Sequence, residues 1–151
     1  VIQALALALL VFFPHIEKPR AEYYAAAIME ESYHAGVDPL LVASRAWVES
    51  GFSPAALHAG TYGMMQTRRR LVTVREQVRE GARALAYWRQ WHARGKCLQN
   101  PPHPSWRHYT FGYIVPRWAR VPVSWKMDRV YHLLEREIYR HGPPRRTRSN
   151  I

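Results

Sequence analysis

The stretch Ala46 to Gln66 reads AWVESGFSPAALHAGTYGMMQ and sets one carboxylate, Glu49, among Trp47, Val48 and Phe52. An ionised carboxylate is costly beside apolar neighbours, so a Glu there is either turned to solvent or kept for chemistry. Burial raises its proton affinity, and a place in the last turn of a helix, at the negative end of the macrodipole, pushes the same way. A carboxylic acid that keeps its proton near neutral pH can give it to a glycosidic oxygen. The plainer reading is a surface Glu at a helix end. No Asp or Glu lies between Ser50 and Arg75, so the following loop offers no second acid of the kind two-carboxylate glycosidases use.

Other chemistries find less support. Cys97 is the only cysteine, which excludes an intramolecular disulfide and a thiolate metal cluster. The eight histidines show no HExxH pair or other ligand spacing, and His103 and His108 flank a Pro-Ser-Trp loop as surface or packing residues. Neither a metal nor a cofactor is expected.

The elements that must hold Glu49 read as helices. Pro19 near the start and Gly36 at the end bound one helix, PRAEYYAAAIMEESYHAG. The next, VDPLLVASRAWVESG, has Asp38 as N-cap, Pro39 at its first position and Gly51 as its stop. Its apolar residues cover most of the circumference, which predicts burial, and Glu49 falls in its last turn. Ser53 to Thr67 reads as an ordered, turn-rich loop with room for a short hairpin, and Arg68-Arg69-Arg70 follow it. A capping box, Thr73 to Glu76, opens a third helix whose Val74, Val78, Gly81, Leu85 and Trp88 form a core stripe up to Gly95. The Pro- and aromatic-rich segment from Lys96 to Val123 has room for one or two short helices. A last helix from Ser124 places Met127, Tyr131, Leu134 and Ile138 on one stripe. The fold class is mainly α.

A chain of 151 residues, 48% apolar and 22% charged, fits one globular domain with a substantial core. Residues 19–142 form that domain, and 143–151 a basic, mobile tail. Residues 1–18 begin with VIQALALALLVFF, in which Gln3 is the one polar side chain. The run is short for a membrane span but has the length of an export-signal core. Without an initiator Met or a basic stretch ahead of it, it reads as an export signal or anchor cut upstream, and otherwise as a packing helix. Lys plus Arg number 22 against 11 acids, a net +11 that favours a nucleic acid, an acidic lipid surface or an acidic wall polymer.

Two of these segments, taken in order, resemble the soluble lytic transglycosylase family of the lysozyme-like fold. The family pattern is Glu-Ser at a helix end, then Gly-Leu-Met-Gln, an Asn-Ile-x-x-Gly helix and Tyr-Asn-Ala-Gly. Glu49-Ser50 matches the first and Gly63-Met64-Met65-Gln66 the second, with Met for Leu. Gln77-Val78-Arg79-Glu80-Gly81 resembles the third, with Gln for Asn, and Tyr109-Thr110-Phe111-Gly112 the fourth, with Thr for Asn. Arg68 to Arg70 stand where the family has an apolar, Pro-containing stretch. The likeness covers about residues 22 to 118, and its first two motifs are the specific ones.

The resemblance implies a lysozyme-like helical domain with a small β-hairpin or irregular loop after the catalytic helix. It implies Glu49 as sole acid and base, with Ser50, Gly63, Met64, Gln66 and Tyr109 binding substrate beside it. Glu49 would protonate the oxygen between N-acetylmuramic acid and N-acetylglucosamine, then take the proton of the sugar's own C6 hydroxyl as it closes on C1. The partner would be peptidoglycan glycan strands, met as an exported monomer in the periplasm or cell envelope, or as part of a phage or secretion apparatus, with association to membrane or wall through the apolar start and basic surface. A goose-type-like muramidase admitting water, a peptidoglycan-binding remnant that keeps its acid, and a basic helical nucleic-acid binder are the competing readings. The last lacks a groove-reading motif, so nucleic acid is not expected as a partner.

Overall fold

The computed structural model describes residues 1–94 and 122–141. Among them are five helices and one hairpin: α1 Ile2–Phe12, α2 Lys18–Ala35, α3 Pro39–Ser50, β1 Leu57–His58, β2 Thr61–Tyr62, α4 Val74–Ala93 and α5 Pro122–His141. The fold is mainly α with a small hairpin after α3, as the sequence predicts.

Local chemistry fixes most of the boundaries. Pro19 sits in the first turn of α2, and Gly36 ends it in the left-handed conformation at φ 63°. The Asp38 carboxylate accepts from the Leu40 amide at 2.8 Å and caps α3, with Pro39 at the first helical position. Thr73 and Glu76 form a reciprocal capping box at the start of α4. The last helix begins at Pro122, two residues ahead of the expected Ser124. Helix α4 ends at Ala93, and Gly95, Cys97, His103, His108, the Tyr109 segment and the basic tail lie outside the described residues.

The core is shared by all five helices. Leu5 and Leu9 of α1, Ile28 of α2, Val42 of α3, Val78 of α4 and Leu134 of α5 are fully buried. Each such side chain contributes about 1.5–3 kcal/mol relative to exposure. Helix α1, formed by the apolar opening run, packs on α2 and α5. No described helix is long and apolar enough to cross a membrane. Directly after α1, Phe13 stacks edge-on against Trp47 at 4.7 Å and Phe52 at 5.1 Å, which ties the start of the chain to both sides of Glu49.

Polar contacts set two of the helix pairings. The Tyr131 hydroxyl of α5 donates to Asp38 at 2.6 Å, so one carboxylate both caps α3 and anchors α5. That hydrogen bond, with burial, holds the Tyr131 phenol well above the usual tyrosine range. Between α2 and α4, the Arg79 guanidinium grips Glu31 with two hydrogen bonds of 2.9 Å, and Arg75 donates to Glu30 at 2.6 Å. Glu31 is buried; bonding from Arg79 holds its carboxyl below the usual glutamate range, against the opposing effect of burial.

Candidate active site

Glu49 lies in the last turn of α3, where the sequence puts it. Gly51 ends the helix at φ 60°, and Phe52 continues in the left-handed region at φ 63° although it carries a side chain. Such a residue is strained unless its surroundings hold it. Here the ring is 2% exposed and seated on Phe13. The two left-handed residues turn the chain sharply away from α3 and leave Glu49 at the bend.

Helix α3 is less uniformly apolar than its sequence suggests. Arg45, one turn before Glu49, is completely buried, and its Nη2 donates to the Glu49 carboxylate. The Glu49 side chain keeps 22% of its surface exposed. Burial and the helix end favour the protonated acid, as the sequence argument has it, but a guanidinium in contact favours the carboxylate. The resting state on these contacts is an ion pair with one partner buried and the other at the surface. The spacing of Arg45 and Glu49, four residues apart on one helix face, is the signal that could have revealed the pair.

Ser50 ties the helix end to the following loop. Its hydroxyl lies 2.8 Å from the Met64 carbonyl and 3.2 Å from the Ala46 carbonyl, and accepts from the Ser53 amide at 3.1 Å. The side chain therefore positions the loop, and any effect on a substrate passes through that.

The loop itself is built around the hairpin and Gln77. Strands β1 and β2 pair antiparallel, Leu57 with Tyr62 and His58 with Thr61. The two residues between them, Ala59 and Gly60, both have positive φ, the requirement of a tight type I′ turn. Gln66 is also left-handed, at φ 48°. Its amide donates to the Gly63 carbonyl at 2.8 Å and accepts from Thr61 at 2.8 Å, so it braces the loop from within. The Gln77 side chain reaches from α4 to accept from the Met64 amide at 2.7 Å and to donate to the Pro54 and Leu71 carbonyls at 3.1 Å each.

Two glycines make these approaches possible. Gly63 is buried, and a Cβ on it would lie 2.5 Å from the Gln77 amide carbon, so the room it leaves is filled by Gln77. On α4, Gly81 makes way for the Met65 side chain, whose Cε would meet a Cβ at 2.4 Å. Met64 and Met65 are themselves fully buried, and serve as the loop's anchors in the core.

The first three segments singled out in the sequence therefore meet in one hydrogen-bonded unit at the end of α3. Glu49 stands at its edge. Ser50, Gly63, Met64 and Gln66 belong to the scaffold of that unit, and Tyr109 lies outside the described residues. Among the described residues no cluster of three or more His, Cys, Asp or Glu has the arrangement to hold a metal. No protein-family model, curated protein or solved structure matches this chain.

Proposed function

We propose that this domain is a peptidoglycan lytic transglycosylase in which Glu49 is the single acid and base. One observation carries the reading. The segments Glu49-Ser50, Gly63 to Gln66 and Gln77 to Gly81 are separate in sequence and are joined by the Ser50–Met64 and Gln77–Met64 hydrogen bonds. That coupling is what a scaffold holding a loop in register beside one acid requires. With no second carboxylate in the loop, the substrate's C6 hydroxyl is the nearest nucleophile, and an intramolecular attack replaces roughly 7–11 kcal/mol of barrier. The product is a 1,6-anhydro end, lighter by one water than the hydrolysed one. The work calls for no metal or cofactor and takes place at the cell envelope, where the substrate is.

The Arg45–Glu49 contact favours a second reading, a domain that binds peptidoglycan without turnover, because a carboxylate held as an ion pair has no proton to give. Digestion of purified peptidoglycan, with mass spectrometry and no borohydride step, separates the two. The expected result is anhydro-muropeptides from the native chain and none from Glu49→Gln, with the same circular dichroism. Reducing ends instead would make it a hydrolase. Pelleting with the wall but releasing nothing would make it a binder.

A further inference from the structure

A cavity of about 660 Å³ opens beside the hairpin, bounded by Pro54, Leu57, Tyr62, Arg70 and Val72 and floored by Gln77. Glu49 is not among the residues that line it. Two kinds of exposed group meet there. Leu57 and Val72 are 67% and 90% exposed, high values for large aliphatic side chains that line one cavity. Arg70 adds a guanidinium that has no hydrogen-bond or ion-pair partner among the described residues, and the loop from 51 to 74 contains no acid to supply one.

The floor asks nothing of a ligand. The Gln77 amide is already committed to Met64, Pro54 and Leu71. The strong polar interaction still on offer is therefore from Arg70, which only donates and which matches a carboxylate through two parallel hydrogen bonds. Beside it the walls offer aliphatic and aromatic surface. A bare phosphate would leave Leu57 and Val72 uncovered. A short peptide with small apolar side chains and a free carboxylate satisfies both.

Resting on the peptidoglycan reading of the domain, we propose that this cavity binds the peptide stem of the wall polymer, with Arg70 on the terminal carboxylate and Leu57 and Val72 against an alanine side chain. The site deepens the substrate class to peptide-bearing strands, and places Arg70, the last of the three arginines that depart from the family pattern, at a point of recognition.

The test measures binding by the full chain, apart from cleavage, by nuclear magnetic resonance titration with D-alanyl-D-alanine, its C-terminal amide and L-alanyl-L-alanine. The expected result is a shift of the Leu57, Tyr62 and Val72 resonances, with the amide about fivefold weaker, the upper end for an exposed ion pair. Arg70→Gln, a surface change, should bind acid and amide alike. Equal binding of acid and amide by the native chain, or shifts elsewhere, overturns the site. Equal or tighter binding of the L dipeptide overturns the stem as occupant. If the dipeptide binds as expected while peptidoglycan is not cleaved, the catalytic reading fails and this one stands.

Discussion

Gln77 offers the sharpest test of how the loop is held. Its side chain is 3% exposed and makes three hydrogen bonds that join α4 to three separate points of the loop, Pro54, Met64 and Leu71. A buried hydrogen bond contributes about 1 kcal/mol net, and leaving a buried donor unpaired costs about 1–3 kcal/mol more. Gln77→Ala removes all three and strands the Met64 amide, so a loss of about 4–6 kcal/mol is expected, much of the 5–15 kcal/mol that holds a typical domain folded. Gln77→Glu is the informative partner. It keeps an acceptor for Met64 but turns an oxygen toward the Pro54 and Leu71 carbonyls, so it should be no better than Ala despite its near-identical shape. Urea denaturation gives the stability, and hydrogen exchange at the Met64 amide reports whether the loop opens locally before the domain unfolds. A loss under 1 kcal/mol for Gln77→Ala, with the Met64 amide as protected as before, would refute the reasoning.

Two further outcomes follow from the ionised groups. Bonding from Arg79 lowers the native Glu31 pKa, so its contribution to stability is full above the ordinary glutamate range and disappears as pH falls through the lower native value; the advantage over Glu31→Gln in thermal melting should shrink on acidification across that window, and an advantage that grows there would contradict the sign. Closing a glycan over Glu49 removes water from the exposed part of a carboxylate, which raises its proton affinity, so binding of an N-acetylglucosamine oligomer should take up a proton. Titration calorimetry in buffers of different ionisation enthalpy reads that uptake, which should vanish in Glu49→Gln, and binding heats independent of buffer would count against Glu49 lying under the ligand.

What could be read from the sequence was what local chemistry decides. Asp38-Pro39, Gly36, Gly51 and Thr73 to Glu76 act within a few residues of themselves, and the structure uses each as its type predicts. The stripes of α4 and α5 were legible for the same reason, through Val78, Leu85 and Leu134. Contacts across the chain were not. Glu31 looks like half of a solvated Glu30-Glu31 pair until Arg79, 48 residues on, closes over it. Arg45 looks like the polar residue of an apolar helix, yet it is wholly buried. At the candidate site, the sequence put Glu49 in the last turn of its helix and the hairpin in the loop that follows, and the structure has both there. The sequence did not show that Gly63 leaves room for Gln77, because a glycine announces a close approach without naming what approaches.

Arg45 gives Glu49 a double character. A guanidinium in contact makes the carboxylic acid stronger, which helps it give its proton, but it also makes the protonated form rarer and the carboxylate a weaker base for the return step. A resting ion pair therefore suits a site that waits. Arg45 is already buried, so an incoming strand costs it no further hydration, whereas Glu49 still has 22% of its side chain in water to lose. In the proposed reaction, desolvation by a bound glycan would act on the carboxylate alone and raise its proton affinity. The same guanidinium would, in that reaction, stabilise the carboxylate left once the proton has been given. On this argument the pair restrains the acid until substrate covers it, and whether the restraint is released separates an enzyme from a binding domain with the same residues.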